Sequence, residues 1–455
     1  MAENSITSGS IPKQLLNFFF PIWFGTFFQQ LYNTADAVIV GNFVGKEALA
    51  AVGGPTSAII NLSVGFFTGL ASGASVIIAQ YYGARDFKKT NDAVHTAMAF
   101  SIIGGILLTF IGIATSPFLL RITGTPEDIM APSVTYLNIY FLGVISNLIF
   151  NIGSGILRAV GDSRRPLYFL IICSLVNIVL DLLFVAVLDM GVAGVGYATV
   201  VAQIVSSVFT VASLMKPRGE MKLELRKIAV HKEMMDKIFK IGIPAGLQSA
   251  LYSVSNLLIQ AGINSFGTDV VAAWTAYSKM DAIYWNTINS FGVAITTFAG
   301  QNFGAGSYDR VKKSTSVCMK MALAVSVSMS AILIAGGPWL YRMFTPSSDI
   351  IEIGMYMLKA ISPFYFCYVA VEVFSGTLRG VGDIFVPTMI VTVLICGLRT
   401  GWLFFVLPFH KTLLMLMLSY PISWTLASLT FIVYYKKGKW LTNAIAKKDA
   451  AEKTY

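Results

Sequence analysis

Gln29, Asn33 and Asp36 occupy positions i, i+4 and i+7 of an otherwise apolar stretch, so on a helix they form one polar stripe. Ser174, Asn177 and Asp181 make a second stripe of the same kind, and Thr199 follows a glycine-rich turn at Gly191–Gly196. An ionisable residue at the centre of a membrane-length apolar run costs about 2.5–3.5 kcal/mol, which makes each such carboxylate a candidate functional group by default. Asp36, Asn177, Asp181 and Thr199 together offer two carboxylates, an amide and a hydroxyl, an all-oxygen set suited to a hard cation such as Na⁺. Two buried carboxyls can equally share one proton, since burial and like charge both favour the neutral form of one of them. A third use of the same residues is as hydrogen-bonded glue between helices.

Gln29 and Asn33 are candidates to line a substrate cavity, as are Tyr252, Asn256, Asp281, Tyr284, Glu372 and Arg399 within apolar runs of the second half, with Lys279 close by. Lys279 and Asp281 are too close in sequence to share a helical face, and Arg399 could pair with Asp281 or Glu372. Asn147 and Asn151, four apart, either line a first-half cavity or join helices. With eighteen methionines and 13% aromatics, an adaptable wall for flat organic compounds is within reach of this composition.

Helices must cross a bilayer to hold these residues. The 455 residues are 55% hydrophobic and 12% charged, with a mean hydropathy of +0.70. That is about half the charge of a soluble chain, and apolar runs near 20 residues recur from Leu15 almost to the C-terminus. Interruptions by charge, Gly and Pro divide them into twelve spans, 15–42, 50–81, 93–117, 130–157, 166–188 and 192–215, then 240–264, 270–301, 314–337, 350–378, 386–407 and 412–435. With both termini in the cytoplasm, 26 of the 33 Lys and Arg residues fall inside and four outside. This asymmetry assigns the net charge of +10 to topology and argues against nucleic acid as a partner. The polar start, Ala2–Ser10, shows no cleavable signal, so the first span is expected to remain.

An internal repeat sets the architecture. Gln80-Tyr81-Tyr82-Gly83-Ala84 returns as Gln301-Asn302-Phe303-Gly304-Ala305. Ser154-Gly155-Ile156-Leu157-Arg158-Ala159-Val160-Gly161-Asp162 returns as Ser375-Gly376-Thr377-Leu378-Arg379-Gly380-Val381-Gly382-Asp383, at the same offset of 221. Pro21 and Pro244 open the two halves. Six spans per half make these parallel repeats, a plan found among secondary transporters. The expected fold is all-α and integral to the membrane: twelve transmembrane helices in two six-helix lobes related by a pseudo-two-fold axis along the membrane normal. The lobes span 1–215 and 241–435, joined by a basic cytoplasmic linker at 216–240 and followed by a tail at 436–455. A substrate is expected in a cleft between the lobes.

The duplicated Gln-x-x-Gly-Ala and Leu-Arg-(Ala/Gly)-x-Gly-Asp blocks resemble those of the multidrug and toxic compound extrusion (MATE) family over essentially the whole chain. The grouping of Asp36 with Asn177 and Asp181 is similar to the bacterial and archaeal DinF-like branch. The resemblance implies a monomeric secondary antiporter in the plasma membrane of a prokaryote, without cofactor, exchanging organic compounds for H⁺ or Na⁺. It places cation or proton coupling at Asp36, Asn177, Asp181 and Thr199. It also links protonation at Asp36 to bending of the first helix near the hinge Pro21.

The repeat supplies an internal control. At the 221 offset Asn177, Asp181 and Thr199 become Leu398, Trp402 and Tyr420, and aligning the prolines turns Asp36 into Ile259. Scaffold residues are duplicated, whereas the candidate cluster belongs to the first half alone. The chain has no phosphate-cradling Gly-x-x-x-x-Gly-Lys motif, and His95, His231 and His410 are scattered, so neither ATP drive nor an intramembrane enzyme is expected. Cys173, Cys318, Cys367 and Cys396 sit at unrelated spacings inside apolar segments and read as small core residues. The rival reading is a dedicated metabolite exporter or lipid-precursor flippase of the same superfamily, against which the spans show no multi-arginine cluster.

Overall fold

The computed structural model describes residues 6–217 and 220–453. The polar start up to Ser5, Arg218 and Gly219 of the basic linker and the last two residues of the tail, parts of the segments expected above, lie outside the described residues. Twelve long helical segments follow one another. α1 (Ile11–Phe43), α2 (Lys46–Gly83), α3 (Phe87–Ile122), α4 (Glu127–Ala159), α5 (Arg164–Val187) and α6 (Gly191–Leu214) form the first half. α7 (Lys232–Asn264), α8 (Thr268–Gly304), α9 (Tyr308–Arg342), α10 (Ser348–Gly380), α11 (Phe385–Phe405) and α12 (Leu413–Lys437) form the second, and α13 (Trp440–Lys453) follows. Among the described residues nine of these are long and apolar enough to cross a membrane by composition. The other three long ones, α1, α7 and α8, run for 33, 33 and 37 residues; α1 carries the first polar stripe, and α7 and α8 carry Tyr252, Asn256, Lys279, Asp281 and Tyr284.

The repeat extends to helix ends. Residues 11 and 232, 43 and 264, 83 and 304, 87 and 308, 127 and 348, 159 and 380, and 164 and 385 each begin or end corresponding helices, all 221 apart. The duplicated blocks are helix stops. In the second block Gly161 takes φ +92° and Gly382 φ +89°, and the next residue's N–H returns to the helix, Asp162 to Leu157 O and Asp383 to Leu378 O, both at 2.9 Å. This is the Schellman closure, which needs a left-handed residue that glycine supplies without strain. The first block closes in the same way through Asp86 N to Tyr81 O and Ser307 N to Asn302 O. There the left-handed position is Gly306 in one copy and Arg85, at φ +59°, in the other. Gly161→Ala is therefore expected to lower stability by about 1–2 kcal/mol. Arg85→Gly, by contrast, is expected to cost nothing; thermal unfolding of the purified variants reads both.

Regular helix breaks where the backbone cannot continue it. Gly54 and Pro55 interrupt α2, and the Ser362–Phe364 turn around Pro363 interrupts α10. α5 and α11 each widen into a π-helical stretch, Leu182–Val187 and Val391–Gly397.

The described residues gather into two compact units. Unit 1 holds Asn17–Gly246, and unit 2 holds Ile6–Leu16 with the chain from Leu247 onward. The division thus falls inside α1 and α7 and not in the linker. Within unit 1 the start of α7 crosses α2 glycine to glycine, Gly69 and Gly73 facing Gly242 and Gly246. The linker is tied to α3: Asn91 Nδ2 donates to Glu220 O and Asn91 Oδ1 accepts from Lys222 N, both at 3.1 Å. Glu224 N donates to His95 Nε2, and His231 N to Thr96 Oγ1, again at 3.1 Å. Within unit 2 Arg310 on α9 collects the carbonyls of Ile6, Ser8 and Gly9 and the Gln14 amide oxygen, fixing the chain from which α1 starts.

Candidate functional site

The first-half candidates converge in unit 1. α5 buries Ser174, Asn177 and Asp181 along one face, Asn177 and Asp181 being 1% and 0% exposed. Asp181 is the last residue before the π-helical stretch, so the backbone changes pitch at the carboxylate itself; such wide turns are frequent at functional sites. α1 brings Asp36, 8% exposed, within hydrogen-bonding reach of Asp181. α6 adds Thr199, whose hydroxyl donates to Val195 O at 3.0 Å and keeps its lone pairs.

Asp36 Oδ1, both carboxylate oxygens of Asp181 and both amide atoms of Asn177 are buried without a protein partner. Buried polar groups are nearly always satisfied, and helix-joining residues would be bonded to one another. A carboxylate facing a carboxylate becomes a hydrogen bond when one of them holds a proton. The unpartnered oxygens otherwise offer a dehydrated cation several ligands, so the arrangement can take a proton or a small hard cation.

The rest of the polar stripe on α1 parts from the pair. Gln29 and Asn33 are exposed, and the Asn33 amide donates to Gln30 Oε1 at 3.5 Å. Asn147 and Asn151 on α4 are half-buried and bonded to each other at 2.9 Å. Sequence reasoning missed the tyrosines around the carboxyls. On α4 Tyr136 and Tyr140, four apart, lie close to Thr199 and Gln203, four apart on α6. Tyr32 on α1 lies near Asp36. No pattern in the sequence singles these tyrosines out.

Unit 2 builds something different. Asp281 on α8 accepts from Trp285 Nε1 at 2.6 Å and from the Tyr365 and Tyr277 hydroxyls at 2.5 and 3.4 Å. It is a saturated carboxylate in an aromatic box. Tyr284, expected to line a cavity, is fully buried: its hydroxyl donates to Tyr365 O at 2.7 Å and its ring stacks on Tyr365 at 3.9 Å. Arg399 forms no ion pair with Asp281 or Glu372; its Nε donates to Ser423 Oγ at 3.2 Å among three aromatic rings. Glu372 is half-buried beside Gly292, Tyr252 is half-buried, and Asn256 and Lys279 are exposed. Helix ends at the 221 offset set Leu257 opposite Asp36, whereas the prolines set Ile259 there; either way the counterpart is aliphatic.

The family model MatE matches residues 21–183 and again 244–403. The chain is 28% identical to the probable multidrug resistance protein YpnP of Bacillus subtilis over 97% of this chain and 98% of that one. It is 24% identical to the multidrug export protein MepA of Staphylococcus aureus over 82% of each. Its fold matches a MOP superfamily transporter from Pyrococcus furiosus with a TM-score of 0.89 at 23% identity, covering 97% of this chain and 99% of that one. A MATE structure in a bent conformation, also at 23% identity, matches with a TM-score of 0.89 over 98% and 99% of the two chains.

Proposed function

Because the chain belongs to the MatE family, whose model covers most of both halves, we propose that it exports organic compounds across the membrane in exchange for inward H⁺ or Na⁺. Its relatives are named for multidrug resistance and multidrug export, which supports compounds of that kind as cargo. The observation that carries the coupling is the Asp36–Asp181 pair with Asn177, whose buried oxygens have no protein partner. In this reading ion entry and substrate release alternate on the outer side. A proton or Na⁺ at the pair changes the preferred shape of α1, and Pro21, which removes one backbone hydrogen bond from the helix, is where it bends. The matching MATE structures include one in a bent and one in a straight conformation, which supports a transporter of two shapes.

The energetics suffice. One net inward charge at 100 mV supplies about 2.3 kcal/mol, enough for an outward concentration ratio of roughly fifty. The test is efflux of a fluorescent organic cation from liposomes holding the purified protein, first under a pH gradient and then under a Na⁺ gradient. Flux that follows one of the two identifies the ion. Flux indifferent to both sinks the coupling.

A further inference from the structure

The two units carry polar sites of opposite charge at equivalent places in the repeat. In unit 1 the places are Asp181 on α5 and Thr199 on α6; 221 residues on stand Trp402 on α11 and Tyr420 on α12, with Arg399 three residues before Trp402. Trp402 turns its Nε1 to Met415 O at 2.8 Å, and Tyr420 lies against Arg399, its ring centroid 4.2 Å from the guanidinium carbon. Tyr252 and Trp424 complete the surround at 5.7 Å each. Arg399 is 1% exposed, and its Nη2 has no hydrogen-bond partner.

No carboxylate answers that charge within ion-pair distance among the described residues. Asp281 has three donors of its own. Stacking on aromatic faces offsets part of the cost of burying a guanidinium, but it leaves the Nη2 hydrogens unmet. An aromatic surround of this type is what binds an organic cation, and here the protein's own cation occupies it. An anionic oxygen is what the place lacks.

We propose that Arg399 with Tyr252 and Tyr420 forms a subsite for a carboxylate carried by the exported compound. Nη2 donates to one carboxylate oxygen, and the two half-buried tyrosine rings flank the compound's aromatic part. Because Nε is committed to Ser423, one edge of the fork remains. That suits a monoanionic carboxylate better than a phosphate dianion, which calls for several donors. The cargo class is then aromatic carboxylates, zwitterions included. This inference rests on the export reading for the nature of the bound molecule and is independent of the coupling ion.

The experiment compares equilibrium binding of rhodamine 110, which has a free carboxylate, with that of its methyl ester rhodamine 123. Fluorescence anisotropy on the purified full-length protein reads both, with no gradient present. Wild type is expected to bind the free acid about tenfold or more tightly than the ester. Arg399→Gln is expected to remove that ratio, chiefly by weakening binding of the free acid about tenfold; Arg399→Lys, a point charge without the fork, is expected to keep part of it. Equal affinities in wild type, preference for the ester, binding of neither, or an unchanged ratio in Arg399→Gln would overturn the subsite. Should the glutamine variant fail to fold, the wild-type ratio decides alone. Preference for the ester leaves export intact, whereas loss of gradient-driven flux with the ratio present sinks the coupling and spares the subsite.

Discussion

Asp36→Asn is expected to collapse gradient-driven accumulation in liposomes from a ratio of roughly fifty per net charge at 100 mV to a ratio near one. The amide keeps the size of the carboxyl, so α1 packs as before and the protein still folds. What it removes is the exchangeable proton and the charge that holds a cation. Asp181→Asn is expected to do the same, since the two carboxyls face each other and act as one unit in the proposed coupling. The double variant should therefore be no worse than either single one, the non-additivity of groups that act together. Wild-type accumulation by Asp36→Asn would remove the coupling role of the pair. Losses that multiply in the double variant would show two independent sites instead of one.

The sequence makes this pair visible because carboxylates are rare and costly in apolar runs, and because the second half has lost them at matching positions. The tyrosines that enclose it are silent: tyrosine is ordinary in a membrane helix, and Tyr136 and Tyr140 come close to Thr199 and Gln203 only once α4 and α6 are packed. Arg399 misleads for a related reason. Charge complementarity suggests an acid as its partner, but stacking on Tyr420 leaves no spacing in the sequence to read. The spans are legible from hydropathy, yet charge marks where the membrane ends and not where the helix does. α7 accordingly begins at Lys232, eight residues before the expected 240, with Lys237 bonded to Glu233 one turn earlier and to Tyr81 of α2. The π-helical stretches leave no trace in composition, since shifting a hydrogen bond from i+4 to i+5 asks nothing particular of the side chains.

The crossing of α2 with the start of α7 was equally hidden, although both Gly-x-x-x-Gly pairs stand plainly in the sequence, because spacing alone does not say which helix meets which. It supports the largest stability effect expected in this protein. A Cβ on Gly73 would sit 2.5 Å from Ile238 O and 2.7 Å from Gly242 N, and one on Gly246 would sit 2.7 Å from Phe66 O. These neighbours are backbone atoms of a helix, so no rotamer change relieves the contact and the two axes must separate. Overpacking usually costs about 1–3 kcal/mol where side chains can yield; Gly73→Val is expected to reach or exceed the top of that range. For a unit of this size that is a fall in Tm of about 6–12 °C, measured on the purified protein in detergent. Gly336→Ala is the matching control: a Cβ there meets nothing within 4 Å, and the exchange within α9 is expected to be neutral or stabilising by up to about 1 kcal/mol. If Gly73→Val melts where Gly336→Ala does, α2 and α7 are not held by backbone contact. The glycines would then be there for some other reason, such as letting the two helices slide.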